Sequence, residues 1–376
     1  MIIDFKGLLD SMEDNEITTI ANEARPGDNY LFNAILPERM RRGYHAKAGS
    51  MTIRSTMAKL VGMDSPYPRG GVMTSSSFEH RIAKVATEQP FPEEYLRELR
   101  ELVNDLFNNT DDGEQQILET MYNFTNKLLV QPHLDTAEWM RAQALITGQI
   151  DWQSDDIHLN VDYGIPVGHF LTARTGNDGY GGSTSKFWAD WHAAQKLLRN
   201  RVKAVFMNTH TLQTIMYNPV NNLKPVRVDD VAGVFEFQRY ITVNGVNVVS
   251  EDIRDRISIF TYDDAGEVLD PTDPTGGGTV LIPFVPDGAI TMVGTPDTRE
   301  FVIGSGSTDE SKNTPITLGY THVGPTEEGN GRLGRWATAY VPQGSEWMFI
   351  GKSAANLLPV IEKPSLIVNM TTDIVS

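Results

Sequence analysis

Asp135-Thr136-Ala137-Glu138-Trp139-Met140-Arg141-Ala142-Gln143-Ala144-Leu145-Ile146-Thr147-Gly148-Gln149-Ile150 contains the change of period that organises the chain. Trp139, Ala142, Leu145 and Ile146 recur at helical spacing, and Gly148 supplies a stop. Beyond it Ile157, Leu159, Val161 and Tyr163 alternate with His158, Asn160 and Asp162. That is a half-exposed strand, predicted to pair with 149–153 across Ser154-Asp155. Upstream, Asp112-Gly113-Glu114-Gln115 has capping-box spacing ahead of Ile117, Met121, Phe124 and Leu128. Pro132 is expected to kink or end that helix and Asp135 to restart it, so 112–147 reads as one long, interrupted helix.

Toward the N-terminus, Pro92-Glu93-Glu94 opens a further helical pattern carrying Leu96, Leu99, Val103 and Leu106. Before it the chain is unlike a packed domain. Ser50-Met51-Thr52-Ile53-Arg54-Ser55-Thr56-Met57 alternates like a strand, and so does Ser77-Phe78-Glu79-His80-Arg81-Ile82-Ala83-Lys84-Val85. Gly62, Pro66, Pro68, Gly70 and Gly71 lie between them. Two polar strands joined by a Gly/Pro tip predict an extended hairpin that needs a partner to be stable.

Toward the C-terminus, 172–186 is rich in Gly, Ser and Thr and reads as a loop. A helix over 187–199, a strand over 203–207 and a helix over 209–217 follow. Strands are then predicted at 235–248 with an Asn244-Gly245 hairpin turn, at 256–262 turning at Asp263-Asp264-Ala265-Gly266, at 279–285 and at 289–294. Residues 304–334 are polar and Gly-rich, and 335–341, 345–350 and 364–370 return to strand alternation. The fold class is α+β.

The 376 residues carry a net charge of −17 and no cysteine, which excludes disulfides, thiolate metal sites and cysteine nucleophiles. No run approaches a membrane span, and Met1-Ile2-Ile3-Asp4-Phe5-Lys6 lacks the basic start and apolar stretch of a secretory signal, so a soluble, intracellular protein is expected. Such acidity makes a poor general nucleic-acid binder. The charge is unevenly placed. Arg39, Arg41, Arg42, Lys47, Arg54, Lys59 and Arg69 stand against the single acid Asp64. From Glu88 to Glu119 ten acids face only Arg97 and Arg100. Two such blocks are either separate solvated faces or complementary surfaces, within a chain or between copies.

No catalytic motif survives inspection. The eight histidines have no metal-ligand spacing, and Gly304-Ser305-Gly306-Ser307-Thr308 lacks the Lys and following helix of a phosphate loop. Gly276-Gly277-Gly278 likewise reads as a loop. Asp155-Asp156, Asp229-Asp230 and Asp263-Asp264 fall at turns, where Asp bonds its own backbone. Trp188, Trp191, Ala194 and Leu198 share a helical face, which favours core packing over stacking a ligand. Neither a cofactor nor a metal is implied.

The order of the pieces resembles the capsid fold of tailed double-stranded DNA phages, of the Hong Kong 97 type, and within it the lambda-type major capsid protein E family. The echoes are Ala144 to Ile150 followed by Val161-Asp162-Tyr163-Gly164, Val205-Phe206-Met207-Asn208 before a short helix, and Phe284 to Gly294. The last is Trp336-Ala337-Thr338-Ala339-Tyr340 with Lys363-Pro364-Ser365-Leu366.

That resemblance implies an N-terminal arm over 1–46, an extended E-loop over 47–87, and a peripheral domain over 88–174 with a spine helix at 112–147. It further implies an axial domain over 175–335 and a C-terminal segment, 336–376, returning to the peripheral domain. It implies no enzyme but a shell subunit that assembles through pentamers and hexamers around genomic DNA, without sequence-specific binding. Its place would be the virion, with assembly in the host cytoplasm. Partners would be further copies, a separate scaffolding protein, a portal and a decoration protein. Intersubunit contacts would run from Arg54, Lys59 and Arg69 to an acidic surface of Glu94, Glu98, Glu101 and Asp105. Some relatives cross-link Lys to Asn, for which Lys59 and Asn356 would be the pair. The alternatives are an encapsulin-like compartment and an acidic soluble hydrolase.

Overall fold

A computed structural model describes residues 14–24, 30–54, 72–91, 123, 125–154, 157–221, 223–229, 234–243, 246–249, 258–269, 278–295, 300–303, 317–340 and 349–374. The N-terminal stretch, read from sequence only as an arm, carries helices α1 (Asp14–Glu23) and α2 (Leu31–Ile35) and the short strand β1 (Glu38–Met40). Ile17, Ala21, Phe32, Ile35 and Leu36 are all buried in the core. The expected hairpin follows, as β2 (His45–Arg54) paired antiparallel with β3 (Val72–Arg81) in an unbroken register from His45↔Arg81 to Arg54↔Val72. The returning strand begins and ends earlier than the 77–85 alternation suggested. It breaks at the buried Ile82, and β4 (Ala83–Phe91) leaves for a different sheet.

The long helix is described from Thr125. Thr125–Val130 is a π-helical turn and α3 (Gln131–Ile146) continues it as α-helix. Pro132 therefore neither ends the helix nor forces a restart at Asp135. It sits where the π turn passes into α3, and that local change of winding accommodates its missing N–H. The predicted stop is observed. The Thr147 N–H bonds the Gln143 carbonyl at 2.9 Å and Gly148 follows at φ +71°. A Cβ at Gly148 would lie 2.7 Å from the Phe170 ring, so both the turn and its packing require glycine. Then β5 (Gln149–Ser154) and β6 (Ile157–Asp162) form the expected hairpin, Gln149 opposite Asp162.

After a loop come α4 (Phe187–Leu197), β7 (Val202–Met207) and α5 (Thr209–Tyr217), as their periodicity predicts. Strands β8 (Leu223–Asp229), β9 (Val234–Val243), β10 (Val246–Val249), β11 (Ser258–Thr261), β12 (Ala265–Leu269), β13 (Thr279–Pro283) and β14 (Ala289–Gly294) follow. Next is β15 (Glu300–Ile303), which adds to the outer edge of β2. The polar, Gly-rich region 304–334, in which no strand was read, contains β16 (Gly319–Val323), buried throughout, and the short pair β17 (Pro325–Thr326) and β18 (Arg332–Leu333). The chain closes with β19 (Trp336–Tyr340), the 13-residue β20 (Phe349–Ile361) and β21 (Ile367–Thr371). Of the strand read at 345–350, only 349–350 is described, as the start of β20, whose Ala354-Ala355-Asn356-Leu357-Leu358 lacks β-branched residues and concealed its length.

Two large sheets result. In the first, β19 and then β16 run along one edge of β20 while β4 runs along the other, and β1 joins β16 in parallel. The second has the order β10-β9-β11-β7-β14-β21, with β8 also on β9. Its central strands are buried on both faces. Val205, Met207, Ile290, Met292, Val368 and Met370 pack under Trp191, Ala194 and Leu212 of α4 and α5. Ala204, Phe206, Ala289, Val293 and Ile367 face the core around α3. Double-sided burial explains the continuous apolar runs in these strands. The helix α3 thus stands between the two sheets.

Candidate intersubunit surfaces

The foot of the β2–β3 hairpin holds Arg39, Arg41, Arg42 and Lys47 of the basic block. The Arg41 guanidinium lies 4.1 Å and that of Arg39 5.4 Å from the centroid of the Tyr320 ring. This cation–π geometry holds both cations against β16 while Tyr320 donates to the Lys47 carbonyl at 2.9 Å. Lys47 pairs with Glu79 across the strands at 2.7 Å, and this bond holds the Glu79 carboxyl below its ordinary value. Arg41, Arg42 and Arg81 are exposed and pair with no acid among the described residues. Beside them a groove of about 460 Å³ has Ile82, Ala83 and Leu159 in its floor. On its rim Tyr44 donates to Glu327 at 2.6 Å and Lys84 pairs with Glu328.

Of the residues singled out from sequence, Arg54 ends β2, opposite Val72 on one side and Glu300 on the other. Lys59, Arg69, Glu94, Glu98, Glu101 and Asp105 lie outside the described residues. Asn356 lies inside the first sheet in register with Lys84, 8% exposed, and its amide donates to the Pro325 carbonyl at 2.5 Å. That amide is engaged within its own subunit.

What sequence reasoning missed is a buried ion network that fixes α3 to the rest of the subunit. Glu138 and Arg141 are both inaccessible to solvent, with Arg141 Nη1 3.0 Å from Glu138 Oε2. The Glu138 carboxylate also accepts from the Phe32 N–H at 2.7 Å and the Tyr262 hydroxyl at 3.1 Å. Arg141 donates onward to Thr321 Oγ1 at 2.8 Å and Glu38 at 3.2 Å. Glu38 in turn accepts two bonds from Arg335, at 2.6 and 2.7 Å. Alternating charge thus links α3, β1, β16 and the segment before β19. Burial pushes the Glu138 carboxyl above its ordinary value, against the pull of Arg141 and the other donors. The signal was available: Leu134, Glu138, Arg141 and Leu145 form one stripe of α3, so two charges stand in an apolar line.

His133, on the same helix, is fully buried with Nε2 2.8 Å from Ser353 Oγ, and that hydroxyl donates to the Leu129 carbonyl at 2.7 Å. The serine proton being used there, His133 Nε2 carries the proton and donates. Burial, with repulsion from Arg335, pushes the imidazole down to about 4, so the ring is neutral.

The remaining polar pairs cap and pack. Asp263 accepts from the Thr209 N–H at 2.7 Å, serving the start of α5 rather than its own turn. Asn208 caps the same helix, accepting from the Thr211 N–H at 2.8 Å. Trp191 is buried and Trp188 packs against it, as the shared face predicts. Asp155, Asp156, Asp230, Gly276, Gly277 and Gly304 to Thr308 lie outside the described residues. Among the described residues, no group of three or more His, Asp or Glu could hold a metal ion, and no helix is long and apolar enough to cross a membrane. Another distinctive surface is the β12–β13 hairpin, whose strands, among the described residues, pair only with each other and which leaves Leu281 67% exposed.

No family model and no curated protein matches the chain. Solved structures do. A protein solved as a candidate capsid protein of a prophage in Escherichia coli CFT073 is 11% identical, with a match covering 96% of this chain and 99% of that one at a TM-score of 0.57. The mature capsid of bacteriophage PhiM1 is 10% identical over 94% of this chain and 90% of its own, at 0.44. The holo-SrpI encapsulin of Synechococcus elongatus PCC 7942 is 8% identical over 96% and 95%, at 0.39. The first correspondence runs end to end, and the chain has the tailed-phage capsid fold.

Proposed function

We propose that this chain is the major capsid protein of a tailed phage, a subunit that assembles through pentamers and hexamers into the icosahedral shell around double-stranded DNA. The observation that carries the reading is the end-to-end match to a prophage capsid protein, which leaves neither chain with a large unmatched part.

In this reading β2–β3 and the intervening residues are the E-loop and Thr125–Ile146 is part of the spine helix of the peripheral domain. The second sheet with α4 and α5 is the core of the axial domain. The axial domain is proposed over 175–335, with β16 of that range pairing in the first sheet. The C-terminal segment serves both sheets, β20 in the first and β21 in the second. Partners are further copies, a scaffolding protein, a portal and a decoration protein, in the host cytoplasm during assembly and in the virion afterward. The net charge of −17 keeps the wall from adhering to packaged DNA.

The charge blocks supply register between copies. Arg54, Lys59 and Arg69 of one subunit lie across Glu94, Glu98, Glu101 and Asp105 of the next. Exposed pairs contribute only about 0–1 kcal/mol each, but a shell repeats them hundreds of times. Reversal in the R54E/K59E variant is expected to abolish shells while leaving the melting temperature of the free subunit unchanged. Unaltered assembly by electron microscopy refutes the pairing. Particles loaded with protein cargo instead of DNA would favour the encapsulin alternative.

A further inference from the structure

The β12–β13 hairpin is firmly rooted, and its second strand is largely exposed. At its root the Phe284 N–H bonds the Asp264 carbonyl at 3.0 Å, and the Phe284 ring packs 5.7 Å from that of Tyr262, whose hydroxyl reaches Glu138 on α3. Beyond the root, among the described residues, the strands have no sheet partner but each other. Glu267 stands opposite Leu281 and Val268 opposite Val280, so Leu281 and Val280 point to opposite faces, and both are exposed. A two-stranded ribbon showing apolar side chains on both faces is marginal in water without a covering partner. Its charge has one sign. No Lys or Arg occurs between Arg256 and Arg299, whereas Asp263, Asp264, Glu267 and Asp287 are among the acids there.

The complement to such a hairpin is the foot of the β2–β3 hairpin. There the groove floored by Ile82, Ala83 and Leu159 offers apolar surface. Beside it Arg42 and Arg81 are exposed and pair with no described acid, while Glu327 and Glu328 are engaged by Tyr44 and Lys84. The exposed apolar side chains of the ribbon match the apolar floor, and its one-signed acidity matches Arg81, the cation of the lining that pairs with no described acid.

We infer that the β12–β13 hairpin of one copy docks in the groove at the foot of the β2–β3 hairpin of a second copy, Leu281 against the groove floor and Glu267 toward Arg81. The inference rests on the shell-subunit reading and names a contact by which it is realised. Two different patches meet, so the contact is head-to-tail, and repetition closes a ring if the rotation per subunit divides a full turn. Pentamers and hexamers are such rings.

The chain contains no cysteine, which allows a direct test. Leu281→Cys is combined in turn with Arg81→Cys, Ala83→Cys and His158→Cys in the full chain, covering the spread of geometry that a disulfide tolerates. Assembled particles are oxidised and run on a denaturing, non-reducing gel, with electron microscopy in parallel. A covalent ladder reaching five and six subunits in at least one pair, dissolved by reductant, is the expected result. Intact particles with only monomer on the gel for all three pairs overturn the docking while leaving the shell reading in place. If the unaltered chain forms no rings or shells, the shell reading fails and the docking with it. Predominant dimer from Leu281→Cys alone would set hairpin against hairpin and also overturn the proposal.

Discussion

The buried network on α3 makes Arg141→Met an informative perturbation. The substitution keeps the length and apolar stem of the side chain and removes a guanidinium with no solvent exposure. Three bonds go: to Glu138 at 3.0 Å, to Thr321 at 2.8 Å and to Glu38 at 3.2 Å. Glu138 keeps only the Phe32 N–H and the Tyr262 hydroxyl and becomes a buried carboxylate without a cation. Stranding one member of a buried pair costs about 3–5 kcal/mol, and about 4 kcal/mol is the expected loss at pH 7. The pH dependence carries a sign. Burial already holds the Glu138 carboxyl above its ordinary value, and without Arg141 it rises further. The folded state then binds more protons than the unfolded state, so stability falls as pH rises through the folded value. R141M should therefore be least destabilised near pH 5 and most near pH 8. E138Q/R141M removes both charges, retains an acceptor for Phe32 and Tyr262, and should recover at least half the loss. Urea unfolding of the unassembled full-length chain, followed by tryptophan fluorescence at pH 5, 7 and 8, measures all three. A loss below about 1 kcal/mol for R141M, or a double variant less stable than R141M, would refute the assignment of the network as a coupled, buried unit.

Three further predictions concern single positions. His133, held down to about 4 by burial, gives stability that is present above the unfolded value near 6.5 and lost as pH falls toward 4, roughly 3 kcal/mol across that window; H133Q should flatten the acid limb of a urea-midpoint-against-pH curve. Asn208→Ala removes the cap on α5 and should lower stability by about 1 kcal/mol in the same urea assay. Gly288→Ala places a Cβ against the Thr372 carbonyl at a positive φ of 78°, and by straining the approach of β14 to β21 should lower the melting temperature more than the Asn208 change does.

Period and punctuation carried much of the fold. The switch at Gly148, the β5–β6 hairpin and the α4-β7-α5 unit were legible because each is closed locally, by a cap, a short connection in sequence or an alternating face. β16 was not legible, because Gly319-Tyr320-Thr321-His322-Val323 becomes a strand only through its long-range partners β20 and β1. The same holds for α1, whose Ile17 and Ala21 are few apolar positions until β19 packs on them. The basic block was visible as composition. The placing of its Arg39 and Arg41 at the foot of a hairpin beside a groove depends on Tyr320, nearly 280 residues from Arg41 in the chain, and no local pattern encodes that. The ion network lay between: its stripe on α3 could be read, but its partners Glu38, Tyr262 and Arg335 come from three distant segments.

The central claim is that this chain builds a closed shell. Cryo-electron microscopy of the full-length protein, expressed alone and with its scaffolding partner, tests it directly. The account predicts icosahedral particles or capsomer rings of five and six subunits, each subunit keeping α3 between its two sheets. Discrete monomers or small oligomers under both conditions would contradict it.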